Sequence, residues 1–320
     1  MTLCPPRGIK PSGTIGAARI RQIMKVRTER RGQVDARHPA DPHLGRWRPR
    51  VAVPPLLHVL PLIDGLVRDE RLTLLRDAPG QMAAKLASGR LDAALLPAIA
   101  LQQLDPPPLV LTTSCIASDG PTDIVRLVSR VAPATVRVVG ADPDSRVHAP
   151  IAAILWAESF GRLPQVRSIG TPADLRGRHR PHAVFYAGDR ATLPLGEEYT
   201  WQIDLGEAWR ELTEVPFVYA VWAVRQDPEL APAANRARAV ALGELIGAAR
   251  ERGMARAEEI AAVLAPRFGW DVPSAVQSLT ERTQYKFTFD HRRGLETFFK
   301  LAHHHGLLPE VRSVAYVQDD

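Results

Sequence analysis

The sequence predicts an α/β protein of two lobes with a helical C-terminal third. Three observations predict it: a β-α-β-α-β alternation over residues 51–97, a second α/β block from about Ile116 to Asp189, and apolar residues at helical spacing beyond Gln226. In order, Val51-Ala52-Val53 reads as a short buried strand and the proline-rich stretch to Pro61 as a loop. Leu62–Leu66 begins a helix, Leu72–Leu75 is the next strand, and Asp77–Gly80 is a loop. Gln81–Ser88 is a compact helix closed by Gly89, which takes the left-handed position after a helix, and Leu91–Pro97 is a buried strand ended by proline. In the second block, Ile124–Val128, Val136–Val139 and Ala183–Tyr186 are apolar strand-like runs, and Pro150–Phe160 is a helix with proline in its first turn. The chain then reaches the apolar Pro216–Val224, and Ala231–Arg252, Ala255–Leu264, Pro273–Phe287 and Arg292–His305 read as helices.

These elements predict a leader over 1–46, the first part of lobe one over 47–117, lobe two over 118–216, and a return to lobe one over 217–320 with the C-terminal helices packed on it. That is a periplasmic-binding-protein-like (type 2) architecture, with ligands expected in the cleft at the carboxyl ends of the strands.

At 320 residues, with 45% hydrophobic and 24% charged, a sizeable core is easily buried. No apolar run approaches the roughly eighteen residues of a membrane span. Cys4 and Cys115 are the only cysteines, which excludes a disulfide framework and a thiolate zinc site and suits a reducing cytoplasm. The net charge of +6 is unevenly placed: residues 1–50 hold twelve Lys or Arg against three acids, so the other 270 residues carry 29 basic against 32 acidic groups. A nucleic-acid partner is therefore not indicated for the body of the protein. The leader has few large apolar residues and no sustained periodicity, and reads as a disordered basic tail or as a start assigned upstream of Met24. No phosphate-cradling glycine loop is present, so a nucleotide cofactor is not indicated. His303-His304-His305 is read as a solvated face and not a metal site, because consecutive helical residues diverge around the axis.

Several stretches carry a family resemblance. Arg48–Val51 followed by Leu57-His58-Val59-Leu60-Pro61-Leu62, then LASGRLDAALLP at 86–97, IASDGP at 116–121 and Asp142–Arg146 come first. Ala187-Gly188-Asp189-Arg190-Ala191, Asp204-Leu205-Gly206-Glu207-Ala208-Trp209 and Leu212–Trp222 are the more specific matches. Together they resemble the chorismate dehydratase branch of the MqnA/MqnD family of menaquinone biosynthesis, the futalosine route, over about 48–300. The resemblance implies a cytoplasmic hydro-lyase that dehydrates and aromatises chorismate, a dicarboxylate, to 3-[(1-carboxyvinyl)oxy]benzoate without metal or organic cofactor. It implies no membrane partner and leaves oligomeric state open.

The resemblance places Ser118, Gly120, Ile124, Ser145, Arg146, Val147 and Asp189 at the substrate. Four cleft positions depart from the family's pattern, His58 standing for asparagine, Ile124 for serine, and Val147-His148 for a Thr-Ser pair, and outside the cleft Glu214 stands for glycine at a turn. Two hydroxyl donors are thus exchanged for apolar side chains while two imidazoles appear. Imidazole can donate to a carboxylate or accept a proton near neutral pH, which makes His58 and His148 the catalytic candidates. Other roles stay open: Ser145 or Asp144 suits a helix cap, and Asp189 suits a turn. Two further functions stay open as well, a non-catalytic two-lobed binding protein for a small carboxylate and a family enzyme with an altered substrate.

Overall fold

The computed structural model describes residues 47–192 and 197–317; the leader expected over 1–46 lies outside the described residues. The first strands are β1 (Arg50–Val53), β2 (Thr73–Arg76), β3 (Ala93–Pro97) and β4 (Leu109–Ser118). Between β2 and β3 runs α1 (Pro79–Ala87), with proline in its first turn and Gly89 beyond its end at φ +69°. The segment Leu57–Ile63, which the sequence predicts to be mostly loop, is a 3-10 helix seated against the C-terminal helices. Leu66–Arg68 is a second 3-10 turn, so the helix predicted to start at Leu62 is two short pieces broken at Gly65.

The next elements are β5 (Val125–Ser129), β6 (Val138–Ala141), α2 (Ala149–Phe160), β7 (Gln165–Ser168), β8 (Ala183–Ala187) and β9 (Trp201–Asp204). They are followed by α3 (Leu205–Thr213) and β10 (Phe217–Val224). The remainder holds α4 (Pro232–Ala255), α5 (Ala257–Leu264), α6 (Val272–Gln277), α7 (Phe289–His304) and β11 (Ala315–Val317).

The strands form two sheets. One has the order β11-β4-β10-β3-β1-β2 and the other β7-β6-β8-β5-β9. β1 pairs parallel with β2 and β3, as the β-α-β reading requires, while β10 enters antiparallel between β3 and β4. β3 and β10 are buried along their whole length, which is why both read as continuous apolar runs. The chain leaves the six-stranded sheet at Ser118 and comes back to it at Phe217. The C-terminal helices pack on that sheet's side: Gly253 of α4 lies so close to the 3-10 helix that a Cβ there would stand 1.9 Å from the Pro61 carbonyl oxygen.

One predicted helix is cut short. Pro273–Phe287 is helical only to Arg282, where a π turn ends it, and the following residues run beside β4. The backbone N–H groups of Cys115 and Ala117 donate to the Tyr285 and Gln284 carbonyls, and Gln284 N–H donates to Ala117. Beyond Leu111, where its pairing with β11 stops, β4 supplies backbone partners that helical spacing does not reveal. Among the described residues, no helix is long and apolar enough to cross a membrane.

Candidate functional site

The site is built where the chain passes between the sheets. Asp204, at the end of β9, caps α3 by accepting from the Gly206 and Glu207 N–H groups at 2.9 and 3.0 Å, and its other oxygen accepts from Thr122 N–H at 2.8 Å. Gly206 is required by this close approach: a Cβ would stand 2.4 Å from the Gly120 carbonyl and 2.9 Å from Ser118 Oγ. Gly120 itself has φ +124°, a conformation that side-chain-bearing residues rarely adopt. The Asp-Leu-Gly motif and the Asp-Gly-Pro crossing are therefore one joint. Ser118 Oγ, buried in it, shares a 2.8 Å hydrogen bond with Tyr219 Oη, and burial pushes the Tyr219 phenol up so that it stays protonated.

His148 sits against this joint. It is the residue before α2, makes no side-chain cap bond, and meets the Tyr219 ring edge-on at 6.5 Å. His148 also lines a cavity of about 330 Å³ together with Pro55, Leu56, Arg76, Asp144 and Gly188. Pro55 and Leu56 follow β1, Arg76 ends β2, Asp144 follows β6 and Gly188 follows β8, so the cavity lies at carboxyl ends of strands from both sheets. Desolvation lowers the His148 pKa to about 4, so the imidazole is neutral at pH 7.

Ser145 opens the same 3-10 turn, Ser145–His148, which also contains Arg146 and Val147. Its hydroxyl donates to Asp142 at 2.6 Å and accepts from Ala187 N–H at 3.1 Å, so both its roles are committed. The residue that caps the turn is Asp142, whose Oδ1 accepts from the Asp144 and Ser145 N–H groups. Neither Ser145 nor Asp144 caps α2, which answers that open reading.

A second cluster lies across the interlobe contact. Asp189 accepts from Trp270 Nε1 at 2.8 Å and from Leu57 N–H at 3.3 Å, joining the segment after β8 to the 3-10 helix and to the residue chain before α6. Burial raises its pKa to about 6 against these two donors. His58 is buried, shares a 2.9 Å hydrogen bond with Ser278 Oγ through Nε2, and packs edge-on to Trp270 at 5.3 Å. Its Nδ1 is buried with no protein partner, and desolvation lowers the ring's pKa to about 4.

The two histidines are not brought to one cavity: His148 lines it with Leu56 and Gly188, whereas His58 is buried in the segment Leu56-Leu57-His58, whose first two residues meet Gly188 and Asp189. Ile124 is buried core, and what it offers is a backbone carbonyl that accepts from Gly188 N–H at 2.8 Å. Sequence reasoning passed over Arg76, Tyr219, Trp270 and Ser278. Tyr219 read as sheet core, which it also is, and no local pattern marks Trp270 or Ser278 because their partner His58 is more than two hundred residues away in the chain. The histidine run is exposed at His303 and His304 and half-buried at His305. Only His304 is helical in the pair His304-His305, and with Glu158 their ligand atoms all lie within 4.8 Å of one another.

Comparison with solved structures places the architecture. Protein AF1704 of Archaeoglobus fulgidus superposes with a TM-score of 0.58 at 14% identity, over 82% of this chain and 98% of that one. The periplasmic aliphatic sulphonate binding protein SsuA of Escherichia coli is similar with a TM-score of 0.54 at 18% identity, over 82% and 94%. The Candida albicans CA3427 gene product, described as having the generic periplasmic binding protein fold, gives 0.55 at 12% identity, over 83% and 92%. The two-lobed α/β fold is therefore of the periplasmic-binding-protein type. A family model described as menaquinone biosynthesis matches residues 49–304, and the chain belongs to that family.

Proposed function

We propose that this protein is a cytoplasmic hydro-lyase that dehydrates chorismate to 3-[(1-carboxyvinyl)oxy]benzoate in menaquinone biosynthesis by the futalosine route, without metal or organic cofactor. The observation that carries the reading is the neutral His148 imidazole in an interlobe cavity, backed by the Tyr219–Ser118 pair. In the reaction one ring hydrogen and the hydroxyl on the adjacent carbon leave as water while the diene becomes aromatic, so no oxidant or reductant is consumed. His148 accepts the ring proton. Its low pKa in the free protein rises when a dianion binds beside it, since an opposite charge favours the protonated ring.

His58 does not line that cavity; buried, with its Nε2 held by Ser278, it fixes the Leu56–His58 segment that borders it. Arg76 provides a cationic side chain at the cavity, suited to a carboxylate. Gly120 and Ser118 shape the hinge, Ser145 fixes the turn that carries Arg146, Val147 and His148, and Asp189 holds the lobes together over the substrate. Incubation of the purified protein with chorismate, with the aromatised product followed by absorbance and mass, tests the proposal. Absence of product from folded protein rejects it.

A second reading, a binding protein for a small carboxylate, is favoured by one observation. Ile124 places a buried apolar side chain where the resemblance expects a hydroxyl donor. Thermal stabilisation by chorismate without turnover is its distinguishing result.

A further inference from the structure

We propose that Glu158, His304 and His305 form a divalent transition-metal site that ties α2 to the end of α7. His305 Nε2 lies 2.6 Å from Glu158 Oε1, the His304 and His305 ring centroids are 4.9 Å apart at 73°, and the three ligand atoms fall within 4.8 Å. The convergence has a structural cause. His304 is the last residue of α7, and His305 follows as its C-cap at φ −90°, ψ 11°, off the helical path, so the two rings turn toward one point. The third group arrives from a helix 147 residues away in sequence.

Glu158 is itself placed against ordinary helix electrostatics. It lies in the last turn of α2, where the negative end of the helix dipole disfavours a carboxylate and where no basic residue of that helix offsets it. The histidines at the end of α7 supply the offset across the interface, and a bound cation would supply a stronger one.

Two imidazole nitrogens and one carboxylate oxygen suit Zn²⁺, Ni²⁺ or Cu²⁺ over the oxygen-seeking Mg²⁺ and Ca²⁺. Tetrahedral zinc holds such ligands about 3.4 Å apart at bond lengths of about 2.1 Å. The Glu158–His305 contact must therefore open slightly while His304 rotates inward. Glu158 and His304 are exposed, which leaves an entry path and a fourth position for water. The same helix α2 begins directly after His148, so a metal at its far end anchors the element that presents the cavity's imidazole.

Calorimetric titration of the full chain with Zn²⁺ tests the site, with thermal melting in parallel. The expected result is one equivalent bound with a rise in Tm. Glu158→Gln and the double variant His304→Ala/His305→Ala should each weaken binding at least tenfold and abolish the rise in Tm, whereas His303→Ala should do neither. The variants alter exposed groups and the half-buried His305, and unchanged circular dichroism confirms that they fold. No binding by the native chain overturns the proposal. So does equal binding by Glu158→Gln, which would assign the metal to the histidine run alone. Binding retained in the double variant would assign it to other histidines and equally overturns the proposal.

Discussion

His58 and Asp189 lie on the same interlobe contact and respond to pH in opposite senses. The folded pKa of His58, about 4, is below the ordinary imidazole value near 6.5, so the unfolded chain takes up the proton first as pH falls. Stability from the neutral ring is complete above about pH 6.5 and is lost toward pH 4, a span worth about 3 kcal/mol for a group this buried. Asp189 is the reverse: its folded value of about 6 lies above the usual carboxylate range, so its contribution is complete at low pH and is lost as pH rises through 6. Urea unfolding at pH 7 and pH 4.5 should therefore show a smaller acid loss in His58→Gln than in the native protein. Asp189→Asn should show a larger one. Identical differences in all three would contradict the assigned shifts. Arg76 makes a separate residue-scale prediction: Arg76→Gln should raise the KM for chorismate about tenfold, with kcat little changed, because its charge assists binding more than chemistry.

Among the elements, the joint between β9 and α3 has the tightest geometry. Gly206→Ala would drive a methyl group into the Gly120 carbonyl, and it should cost about 1–3 kcal/mol of stability by overpacking. Chemical denaturation reads this directly, and a neutral outcome would mean that the crossing yields. The elements also show what a sequence can reveal. Ala93–Pro97 and Phe217–Val224 were legible because burial on both faces leaves an unbroken apolar run. The ten-residue strand β4 was not legible, since Thr112, Thr113 and Ser114 interrupt its apolar pattern at the point where helix α4 and the Tyr285 segment cover it. The helix end at Arg282 was hidden for a related reason, its continuation being paired to β4 by long-range backbone bonds. The site followed the same division: His58, His148 and Asp189 stood out by their departure from or agreement with a motif. Ser278 and Trp270 became visible only through contacts made by folding.

For the whole molecule, Asp189 links the segment after β8 to Trp270 and to the Leu57 N–H. The sequence's surplus of positive charge lies in its first fifty residues, while Arg76 lines the interlobe cavity together with Asp77 and Asp144. In the proposed dehydration of chorismate, His148 is the proton acceptor. The most direct test of this role is the single-turnover rate of aromatised product from the native protein and from His148→Gln, which keeps a donor of similar size but cannot take the proton. Product is expected from the native protein, with a rate lower by about 10²–10⁴-fold in the variant and its fold unchanged. Equal rates in the two proteins, or no product from the folded native chain, would contradict it.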